Sequence, residues 1–174
     1  QVFLPDSVER IEPFGFYYAT ELTKVNFPRK LTSIGDQAFF SCYSLTELEL
    51  PATVTELGSG VWSACSALSA IRVAEENPNY CAQDGVLYTK DCKTLKIYPF
   101  AKEGTEFTLP QTVEVIEPYA FYYTGLVSVI PSENLRVIGD YAFYNCANLQ
   151  SIPAGQTLEQ IGDRSFYSCE SISS

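Results

Sequence analysis

Large apolar residues fall into columns along this chain. Ile11, Ile34 and Leu57 stand 23 residues apart, and Ile116, Ile138 and Ile161 follow at spacings of 22 and 23. Five residues after each comes an aromatic side chain: Phe16, Phe39, Trp62, Phe121, Phe143 and Phe166. A third column holds Leu22, Leu45, Leu68, Leu126, Leu149 and Ile172. Columns kept in step over this period mark a repeat whose unit is one supersecondary circuit of backbone. In LTKVNF (22–27), LTELEL (45–50) and LSAIRV (68–73) the apolar residues have L-x-x-L-x-L spacing. That spacing predicts a short strand with alternate side chains pointing inward. Pro28 and Pro51 end two of these strands, since proline has no N–H to give a ladder. Asp36, Asp140 and Asp163 share a column with Pro13 and Pro118. Acids and proline both favour the first turn of a helix, so the Ile-Gly-Asp phrase predicts a short helical turn. One such unit cannot bury its apolar face alone, whereas stacked units share a continuous core.

The predicted fold is therefore an α/β repeat. It is a right-handed solenoid with a parallel sheet on the concave face and short helical turns on the convex face. Units are expected at about 4–27, 28–50, 51–73, 108–130, 131–153 and 154–174. Between Val73 and Phe107 the period lapses. Here the Asp84-Gly85 turn signal precedes VLYT, and the polar KDCK precedes TLKIY. Two turns between apolar runs predict a small β-meander. About 30 residues make a marginal core of their own, so 74–107 is read as a modified repeat that continues the stack.

These motifs resemble the BspA-like leucine-rich repeats of bacterial and some protist surfaces. The pattern I-G-x-x-A-F-x-x-C-x-x-L-x-x-L-x-L-P is matched most fully by 34–51, with partial matches from 138 and 161. The modified unit also looks like the family's N-x-x-Y-x-x-x-D-G-V-L-Y segment, here beginning at Asn77. Departures are local: Ala19 and Thr124 stand in the cysteine column, and the fourth unit is short around Gly125. The resemblance implies a non-catalytic cell-surface or secreted module that binds a host or neighbouring-cell protein or glycan. The alternatives are a structural spacer within a larger surface protein and, more remotely, a carboxylate-based enzyme.

Charge narrows the partners. Eleven basic against 21 acidic residues give a net charge of −10, which disfavours nucleic acid and anionic membranes. No apolar run approaches the roughly 18 residues that span a bilayer, so membrane insertion is not expected. The absence of histidine removes Ser-His and Cys-His nucleophiles and most catalytic zinc sites. Single aspartates on successive turns cannot supply the six to eight oxygens calcium takes; no metal or cofactor is expected.

Cys42, Cys65, Cys146 and Cys169 repeat with the motif. Helical turns stand about 8–10 Å apart, too far for a disulfide, and small apolar filler is the expected role. Cys81 and Cys92 lie outside that column, eleven residues apart within the meander. A fold-back there makes either a disulfide or two unpaired thiols.

Two surfaces are candidates for a partner. Tyr17, Phe40, Tyr122, Tyr144 and Tyr167 each follow a core aromatic, with Ser63 breaking the series. Consecutive positions cannot both face inward, so these rings should be partly exposed. They form either a platform for a partner or a ladder shielding the core edge. The outward strand positions include Lys24, Glu47, Glu49 and Arg72, together with Asn26, Ala70, Ser128 and Ser151. They form either a concave binding face or a solvated one. Repeat one begins almost without a strand, the chain ends in ESISS, and no polar cap is evident. The expectation is a segment of a longer array.

Overall fold

In this computed structural model the described residues are 1–151 and 153–173. They form β1 (Val2–Phe3), β2 (Arg10–Ile11), β3 (Val25–Asn26), β4 (Ser33–Ile34), β5 (Glu47–Leu50), β6 (Glu56–Leu57), β7 (Ala70–Val73) and β8 (Tyr80–Gln83). Beyond these come β9 (Val86–Thr89), β10 (Thr94–Ile97), β11 (Glu106–Thr108), β12 (Val115–Ile116), β13 (Ser128–Ile130), β14 (Val137–Ile138) and β15 (Gln160–Ile161). Each circuit of chain crosses two parallel ladders. The L-x-L strands pair as β1–β3, β5–β7 and β11–β13. Residues of the Ile11/Ile34/Leu57 column build the other ladder, β2–β4–β6 and β10–β12–β14–β15. In β5, Leu48 and Leu50 are buried and Glu47 and Glu49 exposed, as period-2 alternation requires. The opening residues, expected to carry almost no strand, form the two-residue β1 against β3.

The third side carries the aromatic column, and here the expected helical turns do not form: the described residues contain no helix. Two residues before and two after the core aromatic, the backbone is left-handed in rung after rung. The pairs are Phe14 and Tyr18, Gln37 and Ser41, Gly60 and Ala64, Tyr119 and Tyr123, Tyr141 and Asn145, Arg164 and Ser168. In a helix every amide donates along the axis. Here alternate amides donate across to the next rung, as in Phe14 N to Asp36 O (3.0 Å), Phe16 N to Ala38 O (2.7 Å) and Tyr18 N to Phe40 O (2.9 Å). The intervening amides close tight turns, Gly15 N to Glu12 O and Tyr17 N to Phe14 O. Left-handed residues thus turn the side into a third hydrogen-bonded ladder.

That geometry reassigns two motif residues. A Cβ on Gly35 would meet the Pro13 nitrogen at 2.5 Å, and one on Gly139 the Pro118 nitrogen at 2.5 Å. Glycine in the Ile-Gly pair is there for close approach of rungs. The aspartates do not start helices either. Asp36 Oδ1 accepts the Ser59 amide (2.8 Å) and Asp140 Oδ1 the Asp163 amide (2.7 Å), so each satisfies the next rung.

The modified unit is the expected meander. Strands β8, β9 and β10 pair antiparallel. Asp84 (φ 49°) and Gly85 (φ 76°) make the first turn, both left-handed as a type I′ hairpin requires. Alternation along β9 lets the meander face two cores, and a register shift between Leu95 and Ile97 sends these two residues of β10 to different ones. Leu87 and Ile97 join the first cluster, around Phe39 and Trp62, while Val86, Tyr88, Leu95 and Tyr98 join the second, around Phe121 and Phe143. The fully buried Asn77 ties the meander to the preceding rung. Its Nδ2 donates to Pro51 O and Val54 O (both 2.9 Å), and its Oδ1 accepts the Tyr80 amide. Tyr98 N then donates to Ala120 O (2.8 Å), handing the turn ladder to the second half.

Candidate binding surface

The turn ladder brings rungs close enough for aromatic rings to stack. Inside, Phe16, Phe39 and Trp62 stack at 5.0 and 6.2 Å between centroids, and Tyr98, Phe121, Phe143 and Phe166 at 5.2, 4.7 and 5.2 Å. The next residue in each rung forms an outer line: Tyr17 on Phe40 (5.3 Å), Tyr122 on Tyr144 (5.2 Å) and Tyr144 on Tyr167 (5.0 Å). Offset stacks of this kind are favourable contacts beyond the area they bury.

One member of that line is not where exposure was expected. Phe40 is only 6% exposed. Ser63 in the intervening rung is small, so Tyr122 and Tyr119 of the following repeat lean across it onto Phe40, at 5.3 and 6.3 Å. The Ser63 hydroxyl donates to Tyr119 O (3.0 Å) and fixes that approach. Tyr17 and Tyr167 are exposed, the latter at 55%, and Tyr122 and Tyr144 are half-buried. Phe14, Tyr18, Tyr43 and Tyr123 extend the exposed aromatic area. Tyr18 and Tyr123 were not among the expected residues, although the doubled tyrosine of FYY at 16–18 and 121–123 is their signal.

Where rungs two and three carry small residues, the edge has a notch. Ser41, Ala64 and Ser66 floor it beside Phe40, and Tyr18, Tyr43, Tyr122, Tyr123 and Phe100 wall it, around a cavity of about 240 Å³. The Tyr43 hydroxyl beside Tyr18 raises the phenol pKa of Tyr18, and burial raises that of Tyr122. Both stay protonated at neutral pH, able to donate as well as accept.

Lys24, Glu47, Glu49 and Arg72 do come together, lining a depression of about 280 Å³ on the β3–β5–β7 face. Arg72 Nη2 is 2.8 Å from Glu47 Oε2, and both are solvated, so the pair is worth little and leaves no net charge between them. Ala70, expected outward, is covered by the meander: Ile71 N donates to Gly85 O (2.9 Å), and a Cβ on Gly85 would stand 3.0 Å from Ala70 Cβ.

The cysteine column is packing, but not for the expected reason. Rungs on this side are hydrogen-bonded rather than helix-spaced, so distance alone does not keep the thiols apart. Each instead donates to the carbonyl of the preceding rung's core aromatic: Cys42 to Phe16, Cys65 to Phe39, Cys146 to Phe121 and Cys169 to Phe143. Burial pushes the Cys146 thiol up to about 12. Cys81 and Cys92 are free thiols with their sulfurs 3.5 Å apart.

A buried ion pair, with no signal in the sequence, joins Lys96 and Glu117. Lys96 Nζ lies 2.7 Å from Glu117 Oε1 and 5.6 Å over the Tyr80 ring. Burial holds the Glu117 carboxyl above its usual value, against the opposing pull of Lys96. The pair sits where the meander joins the second ladder, so its place is structural. Among the described residues, no group of three His, Cys, Asp or Glu side chains is placed to hold a metal ion.

Residues 1–98 and 93–174 match the BspA type leucine rich repeat region, in six copies. No curated protein matches the chain significantly. Among solved structures, the pneumococcal vaccine antigen PcpA is similar over 92% of this chain and 46% of its own, at 26% identity and TM-score 0.86. A leucine-rich cell surface protein of Faecalibacterium prausnitzii is similar over 98% of this chain and 51% of its own, at 29% identity and TM-score 0.73. A leucine-rich repeat protein of Eubacterium ventriosum covers 98% and 57%, at 26% identity and TM-score 0.74. The chain thus spans about half the length of these structures. With two parallel ladders, a stacked aromatic turn and the repeat match over its whole length, the chain belongs to the BspA-type leucine-rich-repeat family.

Proposed function

We propose that this chain is a non-catalytic binding module of an extracellular or cell-surface protein, and that it recognises a protein or glycan through its tyrosine edge. The observation that carries this reading is the aromatic line with its notch. Isolated apolar residues on a surface need no explanation, whereas a contiguous apolar patch on a soluble domain marks an interaction site. Tyrosine suits that role because it gives contact area with few rotatable bonds and keeps a polar tip. The strand face is the weaker candidate, since Arg72 and Glu47 already neutralise each other. Two of the similar structures are described as a vaccine antigen and a cell surface protein, which supports the location.

The test is a screen of the purified chain over immobilised extracellular-matrix proteins and glycans. Saturable binding to at least one of them is the expected result. A chain that binds none of them at high micromolar concentration is a spacer, and the reading fails.

A further inference from the structure

We infer that the notch in the aromatic edge is a site for one ring of a neutral sugar; this rests on the binding-edge reading and names its ligand. The notch combines what a sugar ring requires. Aromatic faces carry the negative side of a ring quadrupole, and the C–H face of a pyranose presents the matching positive hydrogens. Tyr18, Tyr43 and Tyr123 stand around the cavity, each more than 40% exposed. Hydroxyls both donate and accept, so those of the exposed Tyr18 and Tyr43 can meet sugar hydroxyls in either sense, and Ser66 Oγ, which donates to Tyr43 O, can accept.

Charge and size exclude the competing ligands. Lys, Arg, Asp and Glu are all missing from the lining residues, so neither an anionic headgroup nor a basic peptide finds a counter-charge. A net charge of −10 further disfavours acidic ligands. The cavity of about 240 Å³ is smaller than the ~300 Å³ at which sites for drug-sized ligands begin. A compact pocket of that size takes one ring rather than an extended proline-rich strand, which needs a groove running about 3.1 Å per residue. The notch also has a local cause in the sequence. Ser41, Ala64 and Ser66 occupy positions where neighbouring rungs carry Tyr18, Tyr123 and Tyr43, so deleting rings from two rungs opens the space between the walls.

The experiment compares the wild-type chain with Ser66→Trp, which fills the notch and keeps every tyrosine, and Tyr43→Phe, which removes one hydroxyl and keeps its ring. Each is titrated against neutral and sialylated oligosaccharides and matrix proteins, with the thermal midpoint as the control for folding. The expected result is saturable binding of a neutral oligosaccharide, weakened at least tenfold in Ser66→Trp and several-fold in Tyr43→Phe at an unchanged midpoint. Neutral-glycan binding that Ser66→Trp leaves intact overturns the notch and leaves the edge reading standing. Binding only to sialylated glycans or to proteins overturns the sugar assignment and likewise spares the edge. Binding to nothing overturns both.

Discussion

A methyl group on Gly139 would stand 2.5 Å from the Pro118 nitrogen, a distance no flexible side chain can relieve because the obstacle is backbone. Gly139→Ala therefore forces two rungs apart. Overpacking of this kind costs roughly 1–3 kcal/mol, and the backbone clash puts the cost at the upper end. The thermal midpoint should fall by about 2–4 °C per kcal/mol in a chain of this size; an unchanged midpoint would contradict the close-approach role. The glycine's presence was legible in the Ile-Gly column, but its reason was not. Asp36 read as a helix starter, yet its carboxylate takes up Ser59 N, a contact that exists only once rungs are stacked. The left-handed backbone was equally hidden. Phe14, Tyr18 and Arg164 adopt it, and outside glycine and asparagine side chains give little hint of that region. Burial of Phe40 depends on Ser63 and on Tyr122, residues brought together only after the meander interrupts the period.

Among the elements, the two kinds of strand differ in how plainly they show. The L-x-L strands carry alternation and were legible, whereas the two-residue strands at Ile-Gly are too short for any period and read as the approach to a helix. The meander was legible from Asp84-Gly85, but its buried ion pair was not, since Lys96 and Glu117 are 21 residues apart. Removing Glu117 alone leaves a buried ammonium and should cost about 3–5 kcal/mol, while replacing both residues, as in Lys96→Met with Glu117→Leu, should be neutral or stabilising. The pair also has a pH signature. Because burial raises the folded pKa of Glu117, the folded state holds that proton more tightly than the unfolded chain. Its contribution to stability is complete below the ordinary carboxyl value and is lost as pH rises through the raised one. Thermal midpoints of wild type and double variant across that window should diverge in the wild type's disfavour as pH rises; parallel curves would contradict the assignment. In the same element, the sulfurs of Cys81 and Cys92 at 3.5 Å need to close to about 2.05 Å to bond. Burial pushes the Cys81 thiol up to about 11, so oxidation by a low-molecular-weight disulfide such as oxidised glutathione should be slow at neutral pH and faster in mild alkali. Alkylation after unfolding should then count two fewer thiols; all six still free would show that the pair does not bond.

At the scale of the whole molecule, three ladders enclose a divided core and leave two faces of different character. The strand face is charged, with Glu47 paired to Arg72. Along the turn side the surface is aromatic, and its notch carries hydroxyls and no charged side chain. The solenoid was readable from the columns because stacking repeats the same demands in every rung, and the family from the motif's resemblance, whereas the turn side was misread as helical. The notch was not readable, because it arises where the columns are broken. Quantitative binding to an array of matrix proteins and glycans decides whether the tyrosine edge is the binding surface. It compares wild type with Tyr18→Ser/Tyr123→Ser on the edge and Glu47→Ala/Arg72→Ala on the strand face, all three checked for equal thermal midpoints. At least a tenfold loss of affinity is expected in the tyrosine variant and no change in the charge variant. The reverse pattern, or tyrosine-variant binding equal to wild type, would contradict it.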